Sequence, residues 1–467
     1  MTNGPQTADI GIIGLGVMGS NLALNIESKG FKVIGYDTCS SITVKKNAIT
    51  CYFDIKYFVK NLSSPKKILL MVPAGAPVES ILGELKSVLD PGDLIIDAGN
   101  SHYKDTEQRS NSLQRYHINY LGVGISGGEN GARYGPSIMA CGPTDVYKDI
   151  EPIFTAIAAT DKENNACVAR LADSTCVGHF VKMVHNSIEY AEMQLICEAY
   201  SLLSVLKRYS NDQISEVFET WNETKLGSFL INTSANVLGV RDPETGGPLV
   251  DLILDEAGQK GTGKWGAIAA IELGVPTPSL IEAVTARIIS SFKDQRITAS
   301  KLYQAPDTNY PDITVETIGA SLLAAKIFCF AQGFQLLSAA NKEYSWNLNF
   351  ADIGSIWKSG CIIRGNILDD VCQAFRNNQS LTNLILDKTF SAELNNTVPE
   401  LRKTVSAAAM SNIPLPVHSA SLTYFDSYTK ERLPVNLIQA QRDFFGAHGF
   451  QRIDKPGVFS SDWERHS

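Results

Sequence analysis

Lys182, His185, Asn186 and Glu189 stand at positions i, i+3, i+4 and i+7 of the stretch HFVKMVHNSIEY. In a helix of 3.6 residues per turn they share one face. An amine, an imidazole, an amide and a carboxylate then look the same way. That mix suits a site that moves protons on a polar, anionic substrate. A solvated polar face is the plainer reading of a lone lysine and glutamate at this spacing. A second motif, near the N-terminus, shifts the balance.

From Asp9 the chain reads DIGIIGLGVMGSNLALNIESKGFKVIGYD. This is a short apolar strand, a glycine turn, an amphipathic helix and a second strand. Gly14, Gly16 and Gly19 fit G-x-G-x-x-G: the first allows a tight turn, the second lets the backbone approach a pyrophosphate, the third lets helix and strand pack closely. The helix start, at Val17 and Met18, offers free N–H groups to phosphate. Asp37 ends the second strand, where an acid would bind ribose. The combination predicts a dinucleotide site; a glycine turn in an ordinary α/β unit is the bland alternative.

The elements that must position these groups follow from the pattern. Up to about Ser174, strand and helix alternate. KKILLMV (66–72), DLIIDAG (93–99), INYLGVGIS (118–126), PSIMACG (136–142) and CVARLA (167–172) read as strands of a doubly wound sheet. After Val177 helical patterns take over: 178–206, 213–221, 265–273, 279–292 and 315–340. A faint repeat pairs Gln194 with Gln332, Trp221 with Trp357 and Pro276 with Pro414, at offsets of 138, 136 and 138. Three matches in order predict a duplicated helical unit. The tail from Leu433 ends polar and irregular, yet its QAQRDFFGAHGF is too aromatic for solvated coil.

The 467 residues suggest two or three domains, and 44% hydrophobic with 19% charged residues is soluble and globular. A net charge of -8 argues against nonspecific nucleic-acid binding. The N-terminus lacks the order of a signal peptide, and no apolar run is expected to approach membrane-spanning length. Nine scattered cysteines without a C-x-x-C pair suggest a reduced, cytoplasmic protein. Seven histidines without ligand spacing predict no metal.

With the glycine turn, IDAGNS, VGISGGENGARYGP, GHFVKMVHNSIEYAEMQLICEAY, AGQKGTGKW, SGCIIR and RLPVNLIQAQRDFFGAH together, the chain resembles the 6-phosphogluconate dehydrogenases from about Asp9 to Trp463. The resemblance implies an α/β Rossmann domain (1–176), a large all-α substrate and dimerisation domain with an internal duplication (177–432), and a C-terminal tail (433–467) that reaches the partner subunit of a homodimer. It implies oxidation of 6-phosphogluconate at C3 with decarboxylation to ribulose 5-phosphate and CO2, reducing NADP or NAD, in the pentose phosphate pathway and gluconate utilization. Carried over by motif, Lys182 is the base on the C3 hydroxyl and Glu189 the acid that protonates C1 of the enediol. Asn100, Ser126, Gly127, Gly128, His185 and Asn186 hold the sugar acid. Tyr190, Lys260, Thr262, Arg287 and the partner subunit's Arg442 hold the 6-phosphate, and the partner subunit's His448 closes the site. Gly14, Gly16, Val17, Met18, Gly19, Asp37, Thr38, Val72, Ala74 and Asn100 form the cofactor set.

The chain departs from the family pattern at several points. Asp37, Thr38 and Cys39 replace Asn-Arg-Thr, whose arginine holds the 2′-phosphate of NADP, and Pro73 replaces a common basic residue. An acid there repels a 2′-phosphate, so an NAD preference is expected, with Lys45 and Lys46 near enough to compensate. Ala98, Cys141, Cys176 and Val177 replace glycines; added side chains there would narrow the hinge or forbid a positive φ. Two other readings stand beside the main one: a related β-hydroxyacid dehydrogenase acting on another phosphorylated sugar acid, and a noncatalytic paralogue that binds nucleotide or substrate.

Overall fold

A computed structural model describes residues 7–38, 49–303 and 313–463, in two compact units, Met1–Ser421 and Leu422–Ser467. The apolar run after Asp9 forms β1 (Ile10–Ile13). It is followed by α1 (Val17–Ser28), β2 (Val33–Tyr36), β3 (Thr50–Tyr52), α2 (Ile55–Lys60), β4 (Lys67–Leu70), α3 (Ala76–Leu85), β5 (Leu94–Asp97), α4 (Tyr103–Gln114) and β6 (Asn119–Gly122). These six strands are parallel, in the order β3-β2-β1-β4-β5-β6. This is the Rossmann order, and it reverses beside β1, where the glycine turn leaves the sheet. Alternate residues face opposite layers: Ile12, Leu69 and Ile96 enter one core, Ile13, Leu70 and Ile95 the other.

The stretch expected as one strand, INYLGVGIS, divides at Val123. β7 (Gly124–Ser126) joins a separate three-stranded sheet with β8 (Ser137–Ala140), antiparallel to it, and β9 (Val168–Arg170). Three short helices lie between these strands: α5 (Gly128–Tyr134), α6 (Thr144–Lys148) and α7 (Glu151–Ile157).

The helical part comprises α8 (Val177–Val205), α9 (Asn211–Asn222), α10 (Phe229–Leu238), α11 (Thr262–Glu272), α12 (Pro278–Ser290), α13 (Lys293–Leu302), α14 (Val315–Tyr344), α15 (Phe350–Ile356), α16 (Ile367–Asn377), α17 (Lys388–Met410) and α18 (Pro416–Tyr428). The duplication is visible in their starts. Val177 and Val315, Phe229 and Ile367, and Pro278 and Pro416 are each 138 residues apart. The two halves hold each other. Gln332 of α14 accepts the Ser279 backbone N–H at the start of α12 (3.0 Å) and donates to its hydroxyl (2.8 Å). Glu198 of α8, steadied by Gln194, accepts the backbone N–H groups of Val417 (2.9 Å) and His418 (3.0 Å) at the start of α18. Each long helix thus satisfies orphan donors at the start of a helix in the other half.

One expectation is corrected here. α14 is long and apolar enough to cross a membrane by length and composition, but 89% of its most apolar window is buried inside the protein. A helix apolar all round is a core helix when neighbours cover it, and α8 and α17 pack along this one.

The second unit contains α19 (Asn436–Gly446) and the hairpin β10 (Phe450–Gln451) with β11 (Val458–Phe459). It is more ordered than its polar sequence suggests. Asp443 accepts hydrogen bonds from the Gly449 and Ser461 backbones, the Ser460 hydroxyl and the Trp463 indole. Those donors, the indole first, hold its carboxyl down at about 2.

Candidate active site

The first half of α8 packs directly onto the two sheets. A Cβ at Gly124 would stand 2.5 Å from Lys182 Cβ and 2.7 Å from the Gly178 carbonyl oxygen. The missing side chain lets the lysine stem lie against β7. Lys182 is therefore buried at the junction of sheet and helices, and burial lowers its pKa. Its Nζ lies 3.4 Å from His185 Nδ1. His185 is fully buried; burial, with Lys182 adding to it, drives its pKa well below the usual value, so the ring is neutral. His185 Nδ1 also lies 3.1 Å from Asn186 Oδ1, and Nε2 lies 3.2 Å from Ser126 Oγ at the end of β7. Asn186 Nδ2 donates to Thr262 Oγ1 (3.2 Å), at the start of α11.

Glu189, one turn further, lies 3.7 Å from His185 Nδ1. Burial raises its pKa although Lys182 and Arg287 pull the other way. Arg287 of α12 stacks over the Tyr190 ring at 3.6 Å and donates to the Gly258 carbonyl (3.0 Å). The structure thus gathers Ser126, Lys182, His185, Asn186, Glu189, Tyr190, Thr262 and Arg287 around one half of α8. Gly127 and Gly128 follow Ser126 at the start of α5, Lys260 is exposed two residues before Thr262, and Asn100 is exposed after β5. Arg442 and His448 are exposed residues of the second unit.

The glycine turn fits a pyrophosphate. Gly14 has φ +93°, and a Cβ at Gly19 would meet the Gly14 carbonyl oxygen at 1.9 Å, so the turn closes tightly on the helix. No side chain caps α1, whose start is exposed at Gly16, Val17 (62%) and partly at Met18. A groove of about 450 Å³ runs from this turn past Tyr36, Asp37 and Thr38 to Val72 and Pro73 after β4 and Glu84 of α3; Ala74 follows Pro73. Asp37 Oδ2 accepts the Leu15 backbone N–H (2.8 Å), fixing the acid at the mouth of the turn. Cys39, Ser40, Lys45 and Lys46 lie outside the described residues.

Residues 9–176 match the family model for the NAD binding domain of 6-phosphogluconate dehydrogenase, and residues 178–463 match the model for its C-terminal domain. The chain belongs to the 6-phosphogluconate dehydrogenase family. Among its relatives are two Bacillus subtilis proteins, the NADP(+)-dependent and the NAD(+)-dependent decarboxylating 6-phosphogluconate dehydrogenases. Each is 44% identical over 97% of this chain, covering 98% and 99% of their own lengths. Among solved structures, the Plasmodium falciparum 6-phosphogluconate dehydrogenase, determined in its apo form, with NADP+ and with 6-phosphogluconate, superposes with a TM-score of 0.93. It is 40% identical, and the match covers 97% of this chain and all of that one.

Within this family pattern, the expected strain at the replaced glycines is absent. None of Ala98, Cys141, Cys176 and Val177 has a positive φ. The Cys141 thiol faces the carbonyls of Gly122 (2.7 Å) and Thr175 (3.0 Å) and accepts the Gly178 N–H (3.2 Å), fastening the end of β8 to the start of α8. Burial pushes that thiol up to about 12, so it stays protonated.

The sequence reading gave no role to the loop after α15, which forms the back of the site. Trp357 packs edge-on to His185 at 5.6 Å, and the Gly360 carbonyl comes within 2.4 Å of where a Gly127 Cβ would lie. Its signals were the repeat match at Trp357 and the SGCIIR motif, to which no residue role was attached. Thr106 of α4 lies 2.7 Å from His179 Nδ1, tying α4 to α8.

Proposed function

We propose that this chain oxidises 6-phosphogluconate at C3 and decarboxylates it to ribulose 5-phosphate and CO2, reducing a nicotinamide dinucleotide, as in the pentose phosphate pathway. The observation that carries the reading is the pair of opposite environments on one helix: a buried amine biased toward neutrality at Lys182 and a buried carboxyl biased toward holding its proton at Glu189. Such a pair supports Lys182 as the base and Glu189 as the acid. Lys182 takes the proton of the C3 hydroxyl. A nicotinamide dinucleotide held at the glycine turn by Gly14, Gly16, Gly19 and Asp37 would supply the hydride acceptor for C3. The resulting 3-keto acid has its carboxylate β to a carbonyl and loses CO2 without a metal. His185, Asn186 and Ser126 hold the sugar acid with Asn100, Gly127 and Gly128 and shelter the enediol. Glu189 then delivers its proton to C1. Tyr190, Lys260, Thr262 and Arg287 take the 6-phosphate, since a guanidinium and an ammonium suit a dianion.

In this reading residues 1–176 bind cofactor, 177–432 bind substrate and dimerise, and 433–467 serve a homodimer in which the partner subunit's Arg442 and His448 complete each site. Exposed Ile268, Ile271, Ile288 and Ile289, with Leu437, Ile438, Phe444 and Phe445 of the tail, are apolar faces that association would cover. The described cysteines are free thiols, which fits the cytoplasm. NAD is the preferred cofactor, because the carboxylates of Asp37 and Glu84 both line the groove beside the glycine turn. Reduced-nicotinamide absorbance with 6-phosphogluconate and NAD or NADP tests the activity. No reduction with either cofactor refutes it, and reduction with another phosphorylated sugar acid alone moves the chain to a different substrate.

A further inference from the structure

Glu192 is a buried carboxylate that this chemistry leaves unused. It follows Glu189 by three residues on the same face of α8. Its Oε1 lies 2.8 Å from Lys326 Nζ of α14, and the two side chains are 3% and 5% exposed. Its Oε2 is buried without a hydrogen-bond partner among the described residues. A buried ion pair with an oxygen left over is a poor way to join two helices, since apolar residues of similar volume do as well. Its field and its register offer a better explanation.

The charges acting on Glu189 come from its own helix, Lys182 and Glu192, and from α12, Arg287. His185 beside it is neutral. Lys326 of α14 faces Glu192, and Cys329 of the same helix lies near both, with Glu198. Ser126 of β7 and Thr262 of α11 bring no charge. Burial raises Glu192's own pKa, and against it the Lys326 ammonium at 2.8 Å favours the ionised form. Lys182 and Arg287 draw the proton off Glu189, and Glu192, as the anion of that pair, opposes them.

We infer that Glu192 and Lys326 form a positioning pair for Glu189: they pin α8 to α14 beside the acid and hold an anion behind it, so that Glu189 keeps its proton against two neighbouring cations. The inference rests on Glu189 being the acid at C1.

The test is exchange of solvent deuterium into C1 of ribulose 5-phosphate by the full-length protein with reduced cofactor, followed against pH. In Glu192→Gln the alkaline fall of exchange should begin about half a pH unit lower. That is a roughly threefold lower ratio of alkaline to neutral rate. Glu192→Asp should restore most of the profile. Glu192→Gln with Lys326→Met leaves no unpaired buried charge and should shift the same way, which covers misfolding of the single variant. A folded double variant with an unshifted profile, while Glu189→Gln abolishes exchange, overturns the inference alone. Undiminished exchange in Glu189→Gln overturns the acid assignment, and the inference with it.

Discussion

His185 Nδ1 serves two neighbours, Lys182 Nζ at 3.4 Å and Asn186 Oδ1 at 3.1 Å. A neutral imidazole carries one proton, so this nitrogen either accepts from Lys182 or donates to Asn186, not both at once. The ammonium form of Lys182 selects the acceptor state, with the ring proton on Nε2 toward Ser126. The amine form allows the reverse. The ring can therefore accommodate either protonation state of Lys182.

Lys182→Ala should abolish hydride transfer in a folded protein, and loss of a general base costs about 10²–10⁴-fold. Glu189→Gln should still oxidise substrate in a single turnover but release ribulose 5-phosphate slowly. Stopped-flow absorbance separates the two; equal loss of the hydride step in both variants contradicts the division of roles.

The pH profile of kcat should be a bell. The base must be an amine, so activity rises with pH through the pKa of Lys182; burial lowers that pKa and moves the acid limb below the ordinary lysine range. The acid must be protonated, so activity falls as pH rises through the pKa of Glu189; burial raises that pKa and moves the alkaline limb above the ordinary carboxylate range. Glu189→Gln should remove the alkaline limb from deuterium exchange at C1, along with most of the exchange itself.

Gly124→Ala places a methyl group against Lys182 Cβ and the Gly178 carbonyl. Overpacking of this kind costs about 1–3 kcal/mol. Thermal unfolding should register the loss, and kcat should fall more than the affinity for NAD, because the displaced side chain is the proposed base and the glycine turn is untouched.

Asp37 offers no charge partner to a 2′-phosphate, and Thr38 stands where the family's arginine would. Losing one charge-assisted hydrogen bond, about 1.5–3 kcal/mol, weakens NADP roughly ten- to a hundredfold. kcat/KM should favour NAD, and Asp37→Asn with Thr38→Arg should move the preference toward NADP. The asparagine keeps an acceptor for the Leu15 N–H, so the turn survives the change. Overall identity does not settle the matter, since NAD- and NADP-dependent relatives are equally similar to the chain. A strong NADP preference in the natural protein would refute this reading of the loop.

A chain ending at Glu431 should lose activity and 6-phosphogluconate binding. Coexpressed with full-length Lys182→Ala, it should regain some turnover, because one site of the heterodimer then has both an intact lysine and an intact tail. A verified heterodimer without activity would count against shared sites.

The glycine turn, Asp37 and the shared polar face of α8 were legible because each is written in a local stretch with a fixed period. β3 was not, since its three residues are a short, partly exposed edge strand with little apolar signal. The break at Val123 was hidden for a tertiary reason: Gly122 and Gly124 are needed by a helix that begins at Val177, and nothing in the strand itself announces that contact. α17 carries Pro399 in its interior and a mostly polar sequence, so its pattern was weak. Trp357 behind His185, and Lys326 against Glu192, are pairings across more than a hundred residues that no local pattern could give.

The reciprocal capping of the duplicated halves has a consequence for how the molecule comes apart. Glu198 lies on the helix that carries Lys182, yet the donors it satisfies belong to Val417 and His418. Gln332 ties the second half to the first in the same fashion. Neither half retains complete helix ends when the other melts, so the helical region should unravel in one cooperative transition. Harm done around Val417 and His418 is then felt on the helix that carries Lys182. The arrangement is that of two like bodies with arms exchanged, as though an ancestral pair of identical chains had been spliced into one.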